Sequence, residues 1–514
     1  MLAANVFVQG KIWKPSHSIS LVLAILIAIG MVWAGWVGFE ESDDLAYAIA
    51  AQAWIDHFPY LATDHWGLRH TIVLPMALVF SLFGESEVTL EVIPLLYAAA
   101  LLLLMFYCLR RLDGTAAGIL AVLLLAATPL FGSGASTVVT DLPEAFYVVA
   151  SLWSFYFASM RSQRSLFVLS GALAGLGFIT RETTAALLVF YGVLFLAGYG
   201  GGRARYILMG IGFMVVFGVD MGLLGWASGN PLYRFHTSMA GVRGDNPEMA
   251  VMFHTASGID RFGSLRTPQW LQPISNLLAN QNFGLVFWAA VPAALALTMA
   301  RPASATRNVV RLFVGLAIVW FLVVSYAFAH FLWLVPRYQF VTLVCLLVPL
   351  AIGLAQLIVV RRAAIAVAII VALLGGDMAL VTVADHHLLF GERALVAFVR
   401  THEGPVLTDP STLRGAKWLL DTAGLGNRVT AATPTAGSVY FYYPRPRRSL
   451  PKDWPIRQPG PGWTSIAHYD EAPNPAAWIA HRIGVEHFLP AGIAGKLERE
   501  PRAAEAFRVS EATR

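Results

Sequence analysis

The chain has 514 residues, of which 57% are hydrophobic and 13% are charged, and its formal net charge is +5. Soluble domains carry roughly a quarter of charged residues, so this composition excludes a wholly soluble protein. The two cysteines, Cys108 and Cys345, both lie in apolar stretches, and we therefore expect no structural disulfide.

Long uncharged stretches recur from the N-terminal region to the last third of the chain. Five of them contain no Asp, Glu, Lys or Arg: residues 15–39, 115–140, 267–300, 312–336 and 338–360. Each is long enough for the roughly 20 apolar residues of a spanning helix. The first follows Lys11 and Lys14 and has no small-residue cleavage site, so we interpret it as a retained membrane anchor.

The sequence predicts an α-helical polytopic membrane protein. Its eleven spans are predicted at 17–38, 88–109, 115–133, 141–159, 166–180, 184–202, 206–226, 281–300, 312–332, 338–360 and 363–384. Arginine and lysine concentrate in every second segment between these spans, all on one side of the membrane, which indicates a cytoplasmic N-terminus by the positive-inside rule. We expect a multi-pass protein of a bacterial inner membrane.

Three segments outside the membrane are large. The first, residues 40–87, includes a short apolar stretch at 71–83 that is typical of an interfacial helix. The second, 227–280, is polar, and we include its His236 and Arg243 among the candidates for contact with donor or acceptor. The third, 385–514, has the composition of a soluble domain and is predicted to be a small α/β domain in the periplasm. Its basic stretch at 445–448 fits either a solvated loop or contact with anionic headgroups.

Two adjacent acids follow the first span. Asp43 and Asp44 precede the apolar stretch LAYAIAAQAWI. Carboxylates at a membrane surface suit a general base for a hydroxyl acceptor or a cation site. The alternative is structural, because Ser42 or Asp43 is well suited to cap the following helix.

A second acidic pair precedes the fourth span. Asp141 and Glu144 are three residues apart, so both point the same way from the first turn of a helix. Helix initiation with Thr140 or Asp141 as the cap explains the first acid but does not require the second.

Charged residues also interrupt the apolar sequence near residue 181. Arg181 and Glu182 separate two spans; they either pair with each other in a surface turn or bind an anion and support the outer acids. Asp220 and Asp377 lie in the outer halves of their spans, where intramembrane acids are functional candidates unless they are solvated at the interface.

Basic residues on the outer side run against the topogenic bias and therefore need partners. The candidates are His65, Arg69 and His70 in the first outer segment and Arg337 with Tyr338 at the start of the tenth span. Guanidinium groups engage phosphate bidentately, so a lipid phosphate is one partner. Salt bridges to acids or to general headgroups are the alternative.

The order of these motifs resembles the GT-C membrane glycosyltransferases, specifically relatives of protein mannosyltransferases and aminoarabinose transferases. The resemblance runs from about residue 19 to residue 360 and rests on the acidic pair after the first span followed by RRLDG, ATPLF, TDLPEAF, GALAGLGFITRETTAALL and VPRYQFVTLVCLLVPLAIG. The C-terminal domain lies outside it.

The resemblance implies transfer of a sugar from a polyprenyl-phosphate carrier to a lipid, glycan or protein acceptor at the outer face. It makes Asp43 the aspartate that acts as base or positions the acceptor, places Asp44 where many relatives have glutamate, and makes Asp141 the second acid. Where relatives carry a lysine-proline-proline segment, this chain reads HWGLRHTIVLP, so Arg69 or His70 must replace the basic group. Glu91 stands where relatives often have arginine.

The expected reaction is a single inverting displacement. Asp43 takes the acceptor hydroxyl's proton, and Arg337 with Arg69 or His70 stabilises the departing phosphate. Glu144, Arg181 and Glu182 support the site. A metal is not required, although the paired acids could hold one, and we expect no nucleic acid partner.

Two other classes of protein remain open at this point. A transporter or flippase is the main alternative, but such proteins commonly have charges at mid-membrane and internal repeats. The spans of this chain are nearly free of charge at their centres, and its two halves show no duplication. A non-catalytic scaffold would not need the recurring outer acids and arginines. The sugar and the acceptor are not specified by the sequence.

Overall fold

The computed structural model describes residues 15–200, 202–243, 271–299, 304–327, 336–360, 362–383, 388–444, 457–472 and 501–510, with residues 478, 481, 482, 484 and 487. Two predicted features therefore lie outside the described residues, namely most of the second outer segment, 244–270, and the basic stretch at 445–448.

The described chain is mostly helical. The α-helices of its first half are Pro15–Ala34, Asp43–Asp56, His70–Phe83, Glu87–Asp113, Thr115–Ala127, Pro129–Gly134, Asp141–Arg161, Arg164–Thr180, Ala185–Leu196, Ala204–Ser228 and Tyr233–Arg243. Those of its second half are Gln272–Ala279, Val286–Met299, Ser304–Leu322, Phe340–Val359, Ala363–Val383, Phe390–Thr401 and Pro410–Thr422.

Every stretch predicted to span the membrane overlaps one of these helices. The apolar stretch at 71–83 is helical, as His70–Phe83, and its place at the interface stays a prediction. Five described stretches are long and apolar enough to cross a bilayer: Glu87–Asp113, Ala204–Ser228, Ala305–Ala327, Arg337–Val359 and Ala363–Val381. The chain is therefore a multi-pass membrane protein, as predicted. The number of eleven spans stays a prediction, because several of the apolar helices are shorter.

Local sequence explains where two predicted spans differ from the helices. The third predicted span is broken after Ala127, because Pro129 at the start of the next helix favours an extended Thr128. The helix Ala204–Ser228 ends at Gly229, whose φ of 72° is left-handed and is accessible to glycine at little cost.

Two compact units make up the chain. The first contains Met1–Gly35, Leu96–Ala135 and Thr140–Val381, and the second contains Trp36–Leu95, Ser136–Val139 and Thr382–Arg514. The second unit thus joins the first outer segment with the C-terminal domain. The predicted domain boundary at 384/385 stays a prediction, and residues 384–387 lie outside the described part of the chain.

In the first unit, two helices pack in backbone contact. A β-carbon added at Gly171 would overlap the carbonyl oxygen of Met209, and one at Gly212 would overlap that of Val168. Small residues at such crossings allow close approach between membrane helices. The helices Arg164–Thr180 and Ala204–Ser228 therefore meet without side chains between them at these positions.

The C-terminal domain contains the sheet that the sequence predicts. Its strands are β1 (Val406–Thr408), β2 (Val429–Ala431), β3 (Val439–Tyr442), β4 (Thr464–Asp470) and β5 (Ala503–Arg508), in the order β2-β1-β3-β5-β4. β1 is parallel to β2 and β3, with Val406 opposite Val429 and Val439, whereas β5 is antiparallel to β3 and β4.

A helix follows the first strand of this sheet. Pro410–Thr422 connects β1 to β2 and is capped by Asp409, whose carboxylate accepts the backbone N–H of Thr412 at 2.9 Å and its hydroxyl at 2.7 Å. The α/β class predicted for this domain is confirmed.

Candidate active site

Two buried acids open the helix Asp141–Arg161. Asp141 is its first residue, and Glu144 lies in the same turn. Both side chains are at most 5% exposed, so each needs charged or hydrogen-bonding partners. The acidic pair is therefore more than a surface feature of the helix N-terminus.

Arg181 is the main partner of both acids. Its Nη1 lies 2.5 Å from Oδ1 of Asp141 and 3.7 Å from Oε2 of Glu144. The helix Arg164–Thr180 ends just before Arg181, which is extended with φ −161° and ψ 137°. Its guanidinium carbon lies 3.8 Å from the centroid of the Tyr338 ring, within range of a cation–π contact.

Arg181 is a permanent cation in this setting. Burial by itself lowers the pKa of the guanidinium, but the carboxylates of Asp141 and Glu144 raise that pKa above its ordinary value. The group therefore neutralises part of the negative charge that the two acids bring into the protein.

Glu144 is held by hydroxyl groups as well as by Arg181. Its Oε1 accepts hydrogen bonds from Thr183 at 2.5 Å and from Thr184 at 2.9 Å. These threonines belong to the short 3-10 turn Glu182–Thr184 that follows Arg181. The turn thus supplies two hydroxyl partners to Glu144, and the supporting role of this segment in the site stays a prediction.

Arg337 completes the cluster from a third part of the chain. Its Nε lies 3.6 Å from Oδ2 of Asp141, and 33% of its side chain is exposed. The short helical turn Pro336–Gln339 that carries it is tied down where Trp320 donates to the carbonyl of Tyr338 at 3.0 Å and Gln339 donates to Ser325 at 2.9 Å.

The acid facing Arg337 keeps one oxygen without a hydrogen bond. Oδ2 of Asp141 is buried and accepts no hydrogen bond from the described residues. The acid cluster, defined as Asp141, Glu144, Arg181 and Arg337, therefore has a balanced formal charge, one partly exposed arginine and one carboxylate oxygen with spare accepting capacity. Such an arrangement can bind an anion at Arg337 and accept a hydroxyl donor at Asp141.

The first pair of acids is held in a different way. Asp44 is fully buried, and its carboxylate accepts the backbone N–H groups of Glu40 at 2.6 Å, Ser42 at 2.5 Å and Leu45 at 2.9 Å. Asp43, the first residue of the helix Asp43–Asp56, is half-buried. Ser42 is the N-cap residue but makes no capping hydrogen bond with its side chain, so Asp44 organises the helix start from inside.

The side chains of Arg69 and His70 are less exposed to solvent than their predicted role in phosphate binding suggests. Arg69 is 9% exposed, and its guanidinium donates to the hydroxyl of Tyr47. His70 is 6% exposed and lies edge-on to Trp54, with ring centroids 5.4 Å apart. Their role toward the donor stays a prediction.

Other predicted residues lie on the helix Tyr233–Arg243 or contact it. The carboxylate of Glu182 accepts the Ser238 hydroxyl at 3.2 Å, and exposed His236 hydrogen-bonds the side-chain amide of Asn230 at 2.9 Å. Arg243 is the last residue of this helix. The roles of His236 and Arg243 toward donor or acceptor stay predictions.

Sequence reasoning missed a buried arginine on the same helix. Arg234 is 2% exposed and pairs with Asp220 through Nε–Oδ2 at 2.7 Å and Nη2–Oδ1 at 3.0 Å. Its Nη1 also donates to the carbonyl of Ile179 at 3.3 Å. The available signal was Asp220 itself, since a membrane acid needs a partner, but nothing in the spacing singles out Arg234.

Asp377, the second intramembrane acid, is fully buried. Its Oδ1 accepts the backbone N–H of Leu285 at 2.6 Å, one residue before the helix Val286–Met299. Gly284 has a left-handed φ of 61°, and a β-carbon there would overlap the carboxylate. Asp377 is thus buried rather than solvated, and its side chain binds the backbone at the start of the helix Val286–Met299.

The first unit brings together Asp141, Glu144, Arg181, Arg337 and Tyr338, whereas the second unit holds Asp43, Asp44, Arg69 and His70. The predicted convergence of these two sets on one site stays a prediction. Among the described residues, no group of three or more His, Cys, Asp or Glu side chains is placed to hold a metal ion.

A protein-family model matches the part of the chain that contains three of the four residues of the acid cluster. Residues 71–219 match the sequence model of the family described as dolichyl-phosphate-mannose-protein mannosyltransferase, and this stretch includes Asp141, Glu144 and Arg181. No curated protein sequence matches the chain.

Solved structures match most of the chain. ArnT from Cupriavidus metallidurans in the apo state is 15% identical with a TM-score of 0.51, over 84% of this chain and 94% of ArnT. ArnT from the same organism bound to undecaprenyl phosphate is 14% identical with a TM-score of 0.49, over 83% of this chain and 93% of ArnT. The archaeal oligosaccharyltransferase AglB from Archaeoglobus fulgidus, in complex with an inhibitory peptide and a dolichol-phosphate, is 15% identical with a TM-score of 0.49, over 81% of this chain and 64% of AglB.

The chain spans slightly less than two thirds of the length of AglB. At 15% identity, the match to apo ArnT shows that the two chains share a fold and nothing beyond it. The resemblance to GT-C membrane glycosyltransferases predicted from the motifs is confirmed. The chain has the fold of ArnT, and its residues 71–219 carry the sequence pattern of the dolichyl-phosphate-mannose-protein mannosyltransferase family.

Proposed function

We propose that this protein is a membrane glycosyltransferase that moves a sugar from a polyprenyl-phosphate carrier to a hydroxyl group of a lipid, glycan or protein. The observation that carries the proposal is the acid cluster inside the stretch that matches the mannosyltransferase family. A partly exposed arginine held beside buried carboxylates supplies the positive charge that this chemistry needs at the phosphate of the donor.

Arg337 is the proposed contact for the phosphate of the donor. Its side chain is one-third exposed, so a lipid phosphate can reach the guanidinium. Arg181 is buried under Tyr338 and already pairs with Asp141, which makes it a fixed countercharge. As the glycosidic bond breaks, negative charge grows on the phosphate oxygen, and a positioned guanidinium stabilises it.

Asp43 is the proposed general base. Asp44 next to it already accepts three backbone N–H groups, which leaves the half-buried Asp43 as the carboxylate better suited to meet substrate. It takes the proton of the acceptor hydroxyl as that oxygen bonds to the anomeric carbon. The bond from that carbon to the phosphate oxygen breaks with its electron pair, and the configuration inverts.

The acceptor side and the location complete the proposal. Arg69, His70, His236 and Arg243 remain candidates for contacts to donor or acceptor. The reaction takes place at the outer face of a bacterial inner membrane, with the N-terminus in the cytoplasm and the C-terminal domain in the periplasm. The arginine and lysine pattern between the spans supports this orientation. The phosphate is already a good leaving group, so the proposal needs no metal.

The first test replaces the base. Asp43→Asn removes the proton acceptor while keeping the size of the side chain, and we expect transfer from polyprenyl-phosphate sugars to fall by about 100-fold or more, the usual effect of losing a general base. Membranes that contain the full-length protein are incubated with radiolabelled donors, and transfer to an extract of envelope lipids and glycans is counted.

The matched control is Asp56→Asn, because Asp56 is an exposed aspartate at the other end of the same helix. It should transfer sugar at the wild-type rate. Unchanged transfer by Asp43→Asn would refute the assignment of the base. A wild-type protein that transfers no sugar from any polyprenyl-phosphate donor would refute the enzyme itself and would favour a transporter, a flippase or a scaffold.

A further inference from the structure

Within the second unit, the C-terminal domain contacts both ends of the first outer segment. Arg393, on the helix Phe390–Thr401, forms an ion pair with Glu87. Its Nη2 also lies 3.4 Å from the carbonyl oxygen of Phe39. One side chain of the domain thus binds both ends of the segment that contains Asp43.

A second side chain of the domain makes a parallel set of contacts. Trp418, on the helix Pro410–Thr422, donates its indole N–H to Oε1 of Glu85 at 2.8 Å. Its ring lies on Phe39, with centroids 4.4 Å apart and an interplanar angle of 36°. Phe39 is 1% exposed, so this aromatic contact is part of a packed interior.

The same helix approaches the residues that directly precede Asp43. A β-carbon at Gly415 would lie 3.2 Å from Oε2 of Glu41 and 2.9 Å from Oε1 of Glu392. Glycine at this position therefore lets the helix come close to the chain two residues before the proposed base.

The chain between Trp36 and Leu45 is also fixed from other directions. The Ser136 hydroxyl accepts the N–H groups of Val37 at 2.9 Å and Gly38 at 3.2 Å, and the Thr137 hydroxyl donates to the Gly38 carbonyl at 3.0 Å. Asp44 then binds the amides of the following turn. The contacts of Arg393 and Trp418 therefore add to those that Ser136, Thr137 and Asp44 make with this stretch of chain.

We propose that Arg393 and Trp418 are positioning residues, through which the C-terminal domain holds the first outer segment in the conformation that presents Asp43. The statement about conformation concerns the second unit alone. Its consequence for turnover rests on the proposed function, in which Asp43 is the base. Small displacements of a reacting group lower rates by as much as about 100-fold, so a loosened segment would reduce kcat and leave donor binding largely intact.

The experiment separates the two parts of this proposal. Hydrogen exchange is measured on full-length protein in nanodiscs for the peptide that contains the amides of Glu40, Ser42 and Leu45. We expect Arg393→Ala to accelerate exchange of these amides by about 10-fold, because local opening becomes easier when tertiary contacts are removed. Trp418→Phe keeps an aromatic ring on Phe39 but removes the donor to Glu85, and we expect a smaller acceleration of about 3-fold.

Two further variants serve as controls. Lys417→Ala removes an exposed ion pair with Asp421 on the same helix as Trp418 and should leave exchange and turnover unchanged. Arg393→Lys should restore most of the protection, because both described contacts of Arg393 use the single nitrogen Nη2, and an ammonium group can replace one nitrogen.

Turnover is then measured on the same proteins. Arg393→Ala should lower kcat by about 10-fold with the KM for the donor changed less than 2-fold, the pattern of a misplaced reacting group. Wild-type exchange in Arg393→Ala would overturn the positioning role whether or not turnover falls. Faster exchange with unchanged kcat would overturn the link to catalysis. If the wild type transfers no sugar, the exchange result still decides whether the domain holds the segment.

Discussion

The two acidic pairs of this protein look alike in sequence but are stabilised by different partners. Both lie in the first turn of a helix, at Asp43–Asp44 and at Asp141–Glu144. Asp44 is bound by the backbone amides of its own loop, whereas Asp141 and Glu144 are bound by side chains from the chain near residue 181 and, for Asp141, by Arg337.

This difference separates two uses of a buried carboxylate. A carboxylate that binds local amides fixes the path of its own loop and depends on little else. A carboxylate that binds distant cations joins separate elements, and its charge is tolerated only while those cations remain. The first pair should therefore be sensitive to the shape of the acid, and the second should be sensitive to the charge of its partners.

The largest expected effect on stability follows from removing a side-chain partner of the second acidic pair. Arg181→Ala leaves Asp141 and Glu144 buried without their main countercharge, and we expect the free energy of unfolding to fall by about 3–5 kcal/mol. Chemical unfolding of the purified protein, followed by tryptophan fluorescence, measures this change. Arg164→Ala alters an exposed arginine at the other end of the same helix and should unfold like the wild type.

A compensating variant sharpens this prediction. Replacement of both acids by their amides in the Arg181→Ala background, with Asp141→Asn and Glu144→Gln, removes the uncompensated charge and should regain part of the lost stability. Equal stability of Arg181→Ala and the wild type would mean that the acids are not charged where they lie, and the contrast with Asp44 would be lost.

A smaller effect is expected at the carboxylate that binds backbone amides. Asp44→Asn keeps one acceptor oxygen but turns an N–H donor toward an amide that is itself a donor. We expect the free energy of unfolding to fall by about 2 kcal/mol, because a hydrogen bond to a charged group is lost and a buried donor is left unsatisfied.

Asp43→Asn is the comparison for this change, since it alters the neighbouring, half-buried acid. It should lose less stability than Asp44→Asn while it loses transfer activity. If the two variants lost equal stability, the division between a structural and a chemical aspartate in this turn would be wrong. Chemical unfolding of both proteins, run in parallel, provides the measurement.

The smallest expected effect concerns the hydroxyl groups around Glu144. Thr183→Val removes one of the two hydroxyl donors to Oε1 and keeps the shape of the side chain. We expect a loss of about 1 kcal/mol, because the second threonine and Arg181 remain. Thr183→Ser keeps the donor and should lie between this variant and the wild type in a chemical unfolding series. A Thr183→Val protein as unstable as Arg181→Ala would contradict the ranking of charge over hydroxyl partners.

The helices could be predicted from sequence because their signal is local. Runs of about 20 apolar residues identify spans wherever they occur, and proline and glycine at positions such as Pro129 and Gly229 explain where helices break or end. The acids Asp141 and Glu144 were also identifiable, since two carboxylates in one apolar surrounding are uncommon without a reason.

The partners of those acids could not be predicted in the same way. Arg181 follows Asp141 by 40 residues, and Arg337 is separated from it by several more helices, so only packing brings the three groups together. Pairing of Arg181 with its neighbour Glu182 was an equally plausible prediction, yet the structure pairs Arg181 with Asp141 and Glu144. Asp220 indicated that a partner was needed but did not identify Arg234. The contacts of Arg393 and Trp418 have no local signal, because they reach residues more than 300 positions away.

The glycine contact between the helices Arg164–Thr180 and Ala204–Ser228 has a consequence for the response to bilayer thickness. Helices in backbone contact at Gly171 and Gly212 cannot slide past each other by small steps without a clash at the carbonyl oxygens of Met209 and Val168. A thinner or thicker bilayer is accommodated by tilting or local deformation of the lipid, and we expect this pair to tilt as one body. Arg181 would then keep its depth relative to Asp220 in lipids of different chain length.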